Sequence, residues 1–142
     1  MNYLSLKLRI KKNEGFSALP YKDQIGNYTI GYGHLIRKKE ISLFRKKLTK
    51  AFLQNLFEND FKNALKDYKK NFNKFSFSKN IKELIIEMIF QMGIQNVLTF
   101  KKALGHIKKN NKFLASLEMI DSAWYKQTPL RVENLIKNLL KQ

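Results

Sequence analysis

Two carboxylates stand nine positions apart near the start of the chain, Glu14 within Asn13-Glu14-Gly15 and Asp23 within Tyr21-Lys22-Asp23. If a helix ends at Gly15, Glu14 faces the negative end of the helix dipole, which disfavours ionisation. An acid that must deliver a proton near neutral pH benefits from that bias. A Glu beside a capping glycine is also an ordinary surface residue, and its own triplet does not separate the two readings. Asp23, next to a lysine and near a turn, stays ionised as a base or electrostatic partner must, or it is simply a turn aspartate. Glycoside hydrolysis requires such a pair, one carboxyl to protonate the leaving oxygen and one to handle the anomeric carbon. Spacing alone does not say whether Glu14 and Asp23 face each other.

The segment Tyr28-Thr29-Ile30-Gly31-Tyr32-Gly33-His34 is the most informative run that follows. As a strand it puts Thr29, Gly31 and Gly33 on one face and Tyr28, Ile30, Tyr32 and His34 on the other. Two glycines weaken a strand. They imply either the close approach of a ligand or a hairpin that needs glycine's backbone freedom. A face of one hydroxyl and two bare backbone positions suits a sugar ring and a held water.

These groups need elements to position them. Tyr3, Leu6, Ile10 and Glu14 recur at helical spacing with Gly15 as a natural C-cap, although the alternation of Leu4, Leu6, Leu8 and Ile10 permits a strand. Pro20, Gly26-Asn27, Gly31 and Gly33 then punctuate short runs rich in Tyr, Thr and Ile, the texture of a small hairpin sheet. Thr49 caps a long helix with the stripe Leu53, Phe57, Phe61, Ala64, Leu65 and Tyr68. Ser78 caps another, where Ile81, Leu84, Ile85, Met88 and Ile89 repeat at three and four and Ile86 widens the stripe. Val97–Ile107, Phe113–Ile120 and Val132–Leu140 read as shorter helices, with Gly93, Gly105 and Pro129 at their junctions. The expected class is α+β, mainly α, in one domain over 1–142. A small β-hairpin lobe occupies 16–48, a connecting helix 49–70 and a helical lobe 71–142, on which the N-terminal helix 3–14 packs.

A chain of 142 residues buries roughly 70% of its unfolded surface, so it needs no staple, and it contains no cysteine to make one. No run of 18 apolar residues exists, and Met1 to Arg9 interleaves Leu with Lys and Arg, which does not read as a secretory signal. With His34 and His106 as its two histidines, a metal site is not expected, nor is a cofactor. The net charge of +17 calls for an anionic partner. Its basic groups (Lys11-Lys12, Arg37-Lys38-Lys39, Arg45-Lys46-Lys47, Lys69-Lys70, Lys101-Lys102, Lys108-Lys109) scatter along the chain. Nucleic-acid binding, suggested by charge alone, would need them gathered on one face. A membrane-disrupting role has a different motive, the amphipathic pattern Val132, Leu135, Ile136, Leu139 and Leu140 with Lys137 and Lys141. Such a helix is more often packed in a core than held in lipid.

The run from Leu8 to Leu35, with Glu14-Gly15, Tyr21-Lys22-Asp23 and Tyr28 to His34, resembles the catalytic segment of the T-even phage lysozymes, glycoside hydrolase family 24. The likeness continues in Leu56-Phe57 with Asp60, in Phe90-Gln91-Met92-Gly93, and in Trp124-Tyr125 with Gln127-Thr128-Pro129 and Arg131. It implies a lysozyme-like fold and hydrolysis of the β-1,4 bond between N-acetylmuramic acid and N-acetylglucosamine in bacterial peptidoglycan. Glu14 would be the proton donor, and Asp23 would stabilise charge at the anomeric carbon and direct a water that Thr29 holds, with inversion. Arg131 would hydrogen-bond to Glu14, and His34 would pair with Asp60. Leu35 and Phe90, with Tyr32 and Gly33, would contact sugar, while Gln91 and Trp124 would support the site from behind. The resemblance also implies a monomer that waits in a host bacterial cytoplasm until a membrane hole releases it to the wall. It does not imply nucleic-acid binding or stable membrane insertion. The chain departs from the family in a shorter stretch between His34 and Thr49, and in Ala103 and Glu118 where relatives place Ser and Asn.

Overall fold

The computed structural model describes residues 2–23, 25–45 and 48–141. Lys46 and Lys47 of the basic group at 45–47 lie outside them. By internal contacts the chain divides into Met1–Asn63 and Ala64–Gln142. The expected α+β class holds: among the described residues there are eight α-helices, a 3-10 helix and one three-stranded antiparallel sheet.

In the first unit, α1 (Leu4–Glu14) starts where Asn2 Oδ1 accepts the Leu4 N–H at 2.8 Å and stops at Gly15, whose φ of +71° leaves the helix. Leu6 and Ile10 are fully buried, and Leu4 and Leu8 are exposed, so helical spacing governs and the strand alternative falls away. The helix α2 (Lys50–Phe72) begins at Thr49, whose hydroxyl accepts the Phe52 N–H at 3.1 Å, and it buries Leu53, Phe57, Phe61, Ala64 and Tyr68 as the stripe requires. α1 lies along the first half of α2 through polar and aromatic contacts. Lys7 pairs with Glu58 at 2.8 Å and sits over the Phe61 ring, while Lys11 reaches Gln54 at 2.9 Å and sits over Tyr32 and Phe57. By internal contacts α1 belongs to the same unit as the sheet, and the lysine stems on its α2-facing side serve as apolar surface.

The sheet has the order β1 (Ser17–Lys22), β2 (Tyr28–Gly31), β3 (His34–Leu35). Tyr21 pairs with Thr29, Lys22 with Tyr28, Thr29 with Leu35 and Ile30 with His34. The register slips between Ser17 and Tyr21, the stretch containing Pro20, which has no N–H to give a ladder and so suits an edge strand. A 3-10 helix, Lys38–Arg45, follows. Sequence periodicity did not disclose it, because side chains in a 3-10 turn eclipse every third residue.

The second unit holds α3 (Lys79–Met92), α4 (Ile94–Leu98), α5 (Lys101–Lys108), α6 (Lys112–Ile120), α7 (Ala123–Gln127) and α8 (Pro129–Leu140). Ser78 caps α3, which buries Ile81, Leu84, Ile85, Ile86, Met88 and Ile89. The helix expected over Val97–Ile107 is two helices. Thr99 breaks it by turning its hydroxyl onto the Asn96 carbonyl at 2.6 Å, a local bond that competes with the helical ladder.

Phe57 gathers the first unit: Tyr32 meets it edge-on at 5.6 Å, Phe61 stacks at 6.4 Å and the Lys11 ammonium lies 4.9 Å from its centroid. Phe57→Ala should therefore lower unfolding stability by about 3–5 kcal/mol in urea titrations. A loss below about 1 kcal/mol, the surface range, would mean that this cluster does not hold the unit.

Candidate active site

Glu14 is the last residue of α1 and is half-buried. What its carboxylate rests on is a missing side chain. A Cβ at Gly33 would stand 2.6 Å from Glu14 Oε2, closer than real Cβ contacts come, and 3.0 Å from its Cδ. Gly33 also has a φ of +77°, which L-residues with side chains rarely adopt. The expectation that Gly33 continues a strand face with Thr29 and Gly31 is corrected here. β2 ends at Gly31, and Tyr32 and Gly33 form the turn into β3, since positive φ at both glycines bends the chain back. Gly31 abuts Leu53 of α2, and the group that closely approaches Gly33 is Glu14.

Asp23 follows the end of β1 and is fixed by a local network. Its Oδ1 accepts the N–H of Ile25 at 3.0 Å and of Asn27 at 2.8 Å, and its own N–H donates to the Asn27 carbonyl at 2.8 Å. This is the aspartate turn that Gly26-Asn27 suggested, with Gly26 at φ +87°. Oδ1 is thus committed to the backbone, and Oδ2 takes no hydrogen bond among the described residues. Thr29 is buried, and its hydroxyl donates to the Tyr21 carbonyl at 3.2 Å, across the ladder from its own position. A hydroxyl held as a donor presents its oxygen lone pairs to any other neighbour.

His34 does more than the sequence implied. Its Nδ1 lies 2.8 Å from Asp60 Oδ2 on α2, and its Nε2 lies 3.0 Å from Glu40 Oε2 on the 3-10 helix. Glu40 is doubly used, because its Oε1 accepts the Arg37 N–H at 3.0 Å and so caps the same 3-10 helix. With a carboxylate at each ring nitrogen, both must carry protons to donate. Burial pulls the His34 pKa down, but the hydrogen bonds and charges of Asp60 and Glu40 outweigh it and leave it raised. For Glu40, burial pushes the pKa up, and the Arg37 N–H and His34 more than reverse this. Sequence reading missed Glu40. Its signal was its isolation, as the one carboxylate between Asp23 and Glu58, set in a basic run.

Of the expected sugar-contacting residues in this unit, Leu35 is exposed on β3, whereas Tyr32 packs between Phe16 and Phe57 under Lys11. In the second unit, Phe90 is half-buried on α3. Gln91 accepts the Trp124 indole N–H at 3.0 Å and reaches Thr128 at 3.5 Å, with Phe100 edge-on to the indole. Arg131 donates from Nε to Glu87 at 3.2 Å, and Glu87 is wholly buried on α3. A carboxylate in so apolar a helix demands such a cation, a signal legible in the sequence and not used.

The phage lysozyme family model matches residues 11–138. Probable T4-type lysozyme 1 of Dictyostelium discoideum is 38% identical over 155 aligned positions, covering 93% of this chain and 91% of that one. Probable T4-type lysozyme 2 of the same organism is 33% identical, with the same coverage.

The His34 network makes stability depend on pH. A raised folded-state pKa at His34 gives stabilisation that is full below the unfolded value and lost as pH rises through the folded one. A lowered pKa at Glu40 gives stabilisation present above the unfolded value and lost as pH falls through the folded one. Both hold together between the ordinary carboxylate and imidazole ranges, about pH 4.5 to 6.5. His34→Asn should cost about 2 kcal/mol there and less on either side, by urea unfolding at three pH values. Equal costs at pH 3, 5.5 and 8 would exclude a charged bridge.

Proposed function

The chain belongs to the phage lysozyme family and is a glycoside hydrolase, a lysozyme. On that premise we propose that it cleaves the β-1,4 bond between N-acetylmuramic acid and N-acetylglucosamine, with Glu14 as general acid and Asp23 and Thr29 directing a water. Peptidoglycan is the substrate that the family implies. The observation that carries the reading is the seat of Glu14 on Gly33. A half-buried carboxylate at a helix end, lying over a glycine turn where a side chain would push it aside, has a defined position from which to deliver a proton.

The water side follows from hydrogen-bond valence. A water donating one proton to Asp23 Oδ2 and the other to Thr29 Oγ1 has its remaining lone pairs free to attack carbon. Asp23 Oδ1 is held by two backbone N–H groups, so the carboxylate does not turn when Oδ2 takes the proton. Attack by a held water opposite the leaving group inverts configuration. The biological role we infer is lysis of bacteria from the host cytoplasm, after release through a membrane hole. A polyanionic wall would concentrate a monomer of charge +17.

Glu14→Gln should lose at least about 100-fold in peptidoglycan hydrolysis with Tm essentially unchanged, because an isostere fills the seat without a proton to give. Proton NMR of fresh product should show the α anomer first; the β anomer first would mean retention through an intermediate and exclude direct displacement by the held water.

Gly33→Ala separates position from presence. The methyl displaces the Glu14 carboxylate, so kcat should fall about 100-fold, the scale of a misplacement near 1 Å. Unfolding stability should fall by about 1–2 kcal/mol for the strained backbone. Near-normal kcat would detach the seat from the chemistry.

A further inference from the structure

The amphipathic pattern of α8 raises a lipid-facing role, with core packing the commoner outcome, and the structure buries Val132, Leu135, Ile136 and Leu139 and leaves Leu140 exposed. The exposed apolar face belongs to α6. Phe113, Leu114, Leu117 and Ile120 are 64%, 38%, 46% and 45% exposed, while Ala115, Ser116 and Met119 turn inward. Positions 113, 117 and 120 follow one side of a helix and 114 widens it, so this is a ridge rather than scattered residues. It is firmly presented, since Asn111 Oδ1 caps α6 on the Leu114 N–H at 3.1 Å and Asn110 makes the preceding turn at φ +58°.

We propose that this face of α6 docks the protein on an anionic lipid bilayer, with the helix lying in the plane of the surface. Charge complementarity selects that occupant. Between residues 101 and 126 there are six lysines (101, 102, 108, 109, 112 and 126) against Glu118 and Asp121. Lys108 and Lys109 close α5 just before the ridge, and Lys112 opens α6. A soluble or wall-bound polyanion would use the lysines but has no use for four exposed apolar side chains. A second copy would use the apolar ridge, but a two-fold contact there would bring together two segments that each carry six lysines against two carboxylates. A bilayer takes both, with apolar groups at the acyl boundary and ammonium groups at lipid phosphate. The attachment is peripheral: among the described residues no helix is long and apolar enough to cross a membrane. None of these residues belongs to the proposed catalytic set, so the inference stands apart from that reading.

The test is sedimentation of the full chain with phosphatidylglycerol–phosphatidylcholine vesicles, with pure phosphatidylcholine as reference. The wild type should bind the anionic vesicles selectively. Phe113→Gln with Leu117→Gln should weaken binding by about tenfold or more, leaving polyphosphate binding and hydrolysis of soluble peptidoglycan fragments unchanged. Leu4→Gln with Leu8→Gln, which removes equally exposed leucines from α1, should bind vesicles like wild type. The chain has no cysteine, so Leu117→Cys takes a single polarity-sensitive dye, which should shift to the blue on anionic vesicles even if the double variant folds poorly. Vesicle binding unchanged by the α6 double substitution overturns the proposal. So does an unshifted dye, or a concentration-dependent dimer that the same substitutions abolish.

Discussion

Three elements of the first unit meet at one imidazole. His34 lies on β3, Asp60 on α2 and Glu40 on the 3-10 helix, and the ring joins them only while both its nitrogens are protonated. The two carboxylates together could not be brought this close to a neutral ring without one nitrogen presenting a lone pair to an anion. The geometry therefore fixes a protonation state, and the protonation state fixes the geometry. Phe44 adds an apolar tie, its ring 6.0 Å from the imidazole and 6.3 Å from Phe52 on α2. The short β3, with two residues in its ladder, carries one of its two side chains into this junction.

The junction reaches the candidate acid through one peptide bond. Gly33, whose bare Cα accommodates Glu14, immediately precedes His34. Anchoring the ring to α2 and the 3-10 helix sets where the turn stands, and the turn sets where the Glu14 carboxylate can rest. From the other side α1 is held against α2 by Lys7 and Lys11. Glu14 is thus located by two independent supports, one through its own helix and one through the hairpin it touches. A flexible three-bond side chain needs both if its end is to be positioned better than its rotamers alone allow.

Much of this was legible in the residues. The faces of α1, α2 and α3 follow from periodicity because burial on one side of a helix is a local pattern. The glycines in 31–33 left a strand approached by a ligand or a hairpin open, and did not tell that Glu14 would occupy the space above Gly33, since that contact joins positions 14 and 33 through tertiary structure. The His34–Asp60 pairing was readable only through family resemblance. Glu40 and Glu87 were missed because a carboxylate's partner is chosen by the fold, although their settings, one in a basic run and one in an apolar helix, carried a signal. The contrast between α8 and α6 is the clearest limit. Both are amphipathic in sequence, and only packing decides which apolar face finds a neighbour and which stays at the surface.

The lysines along α1 bear on how such a cationic protein can be re-engineered. Lys7 and Lys11 look like two more contributions to a large positive total, yet their stems lie on Phe61, Phe57 and Tyr32 and their heads are paired with Glu58 and Gln54. They act as half-buried residues with apolar stems and charged tips. A supercharging or humanising redesign that ranks lysines by residue type would strip this seam along with the surface. Lys101, Lys102 and Lys109 are exposed and can be changed without cost to the fold, whereas positions 7 and 11 call for replacements that keep a long stem and a cation.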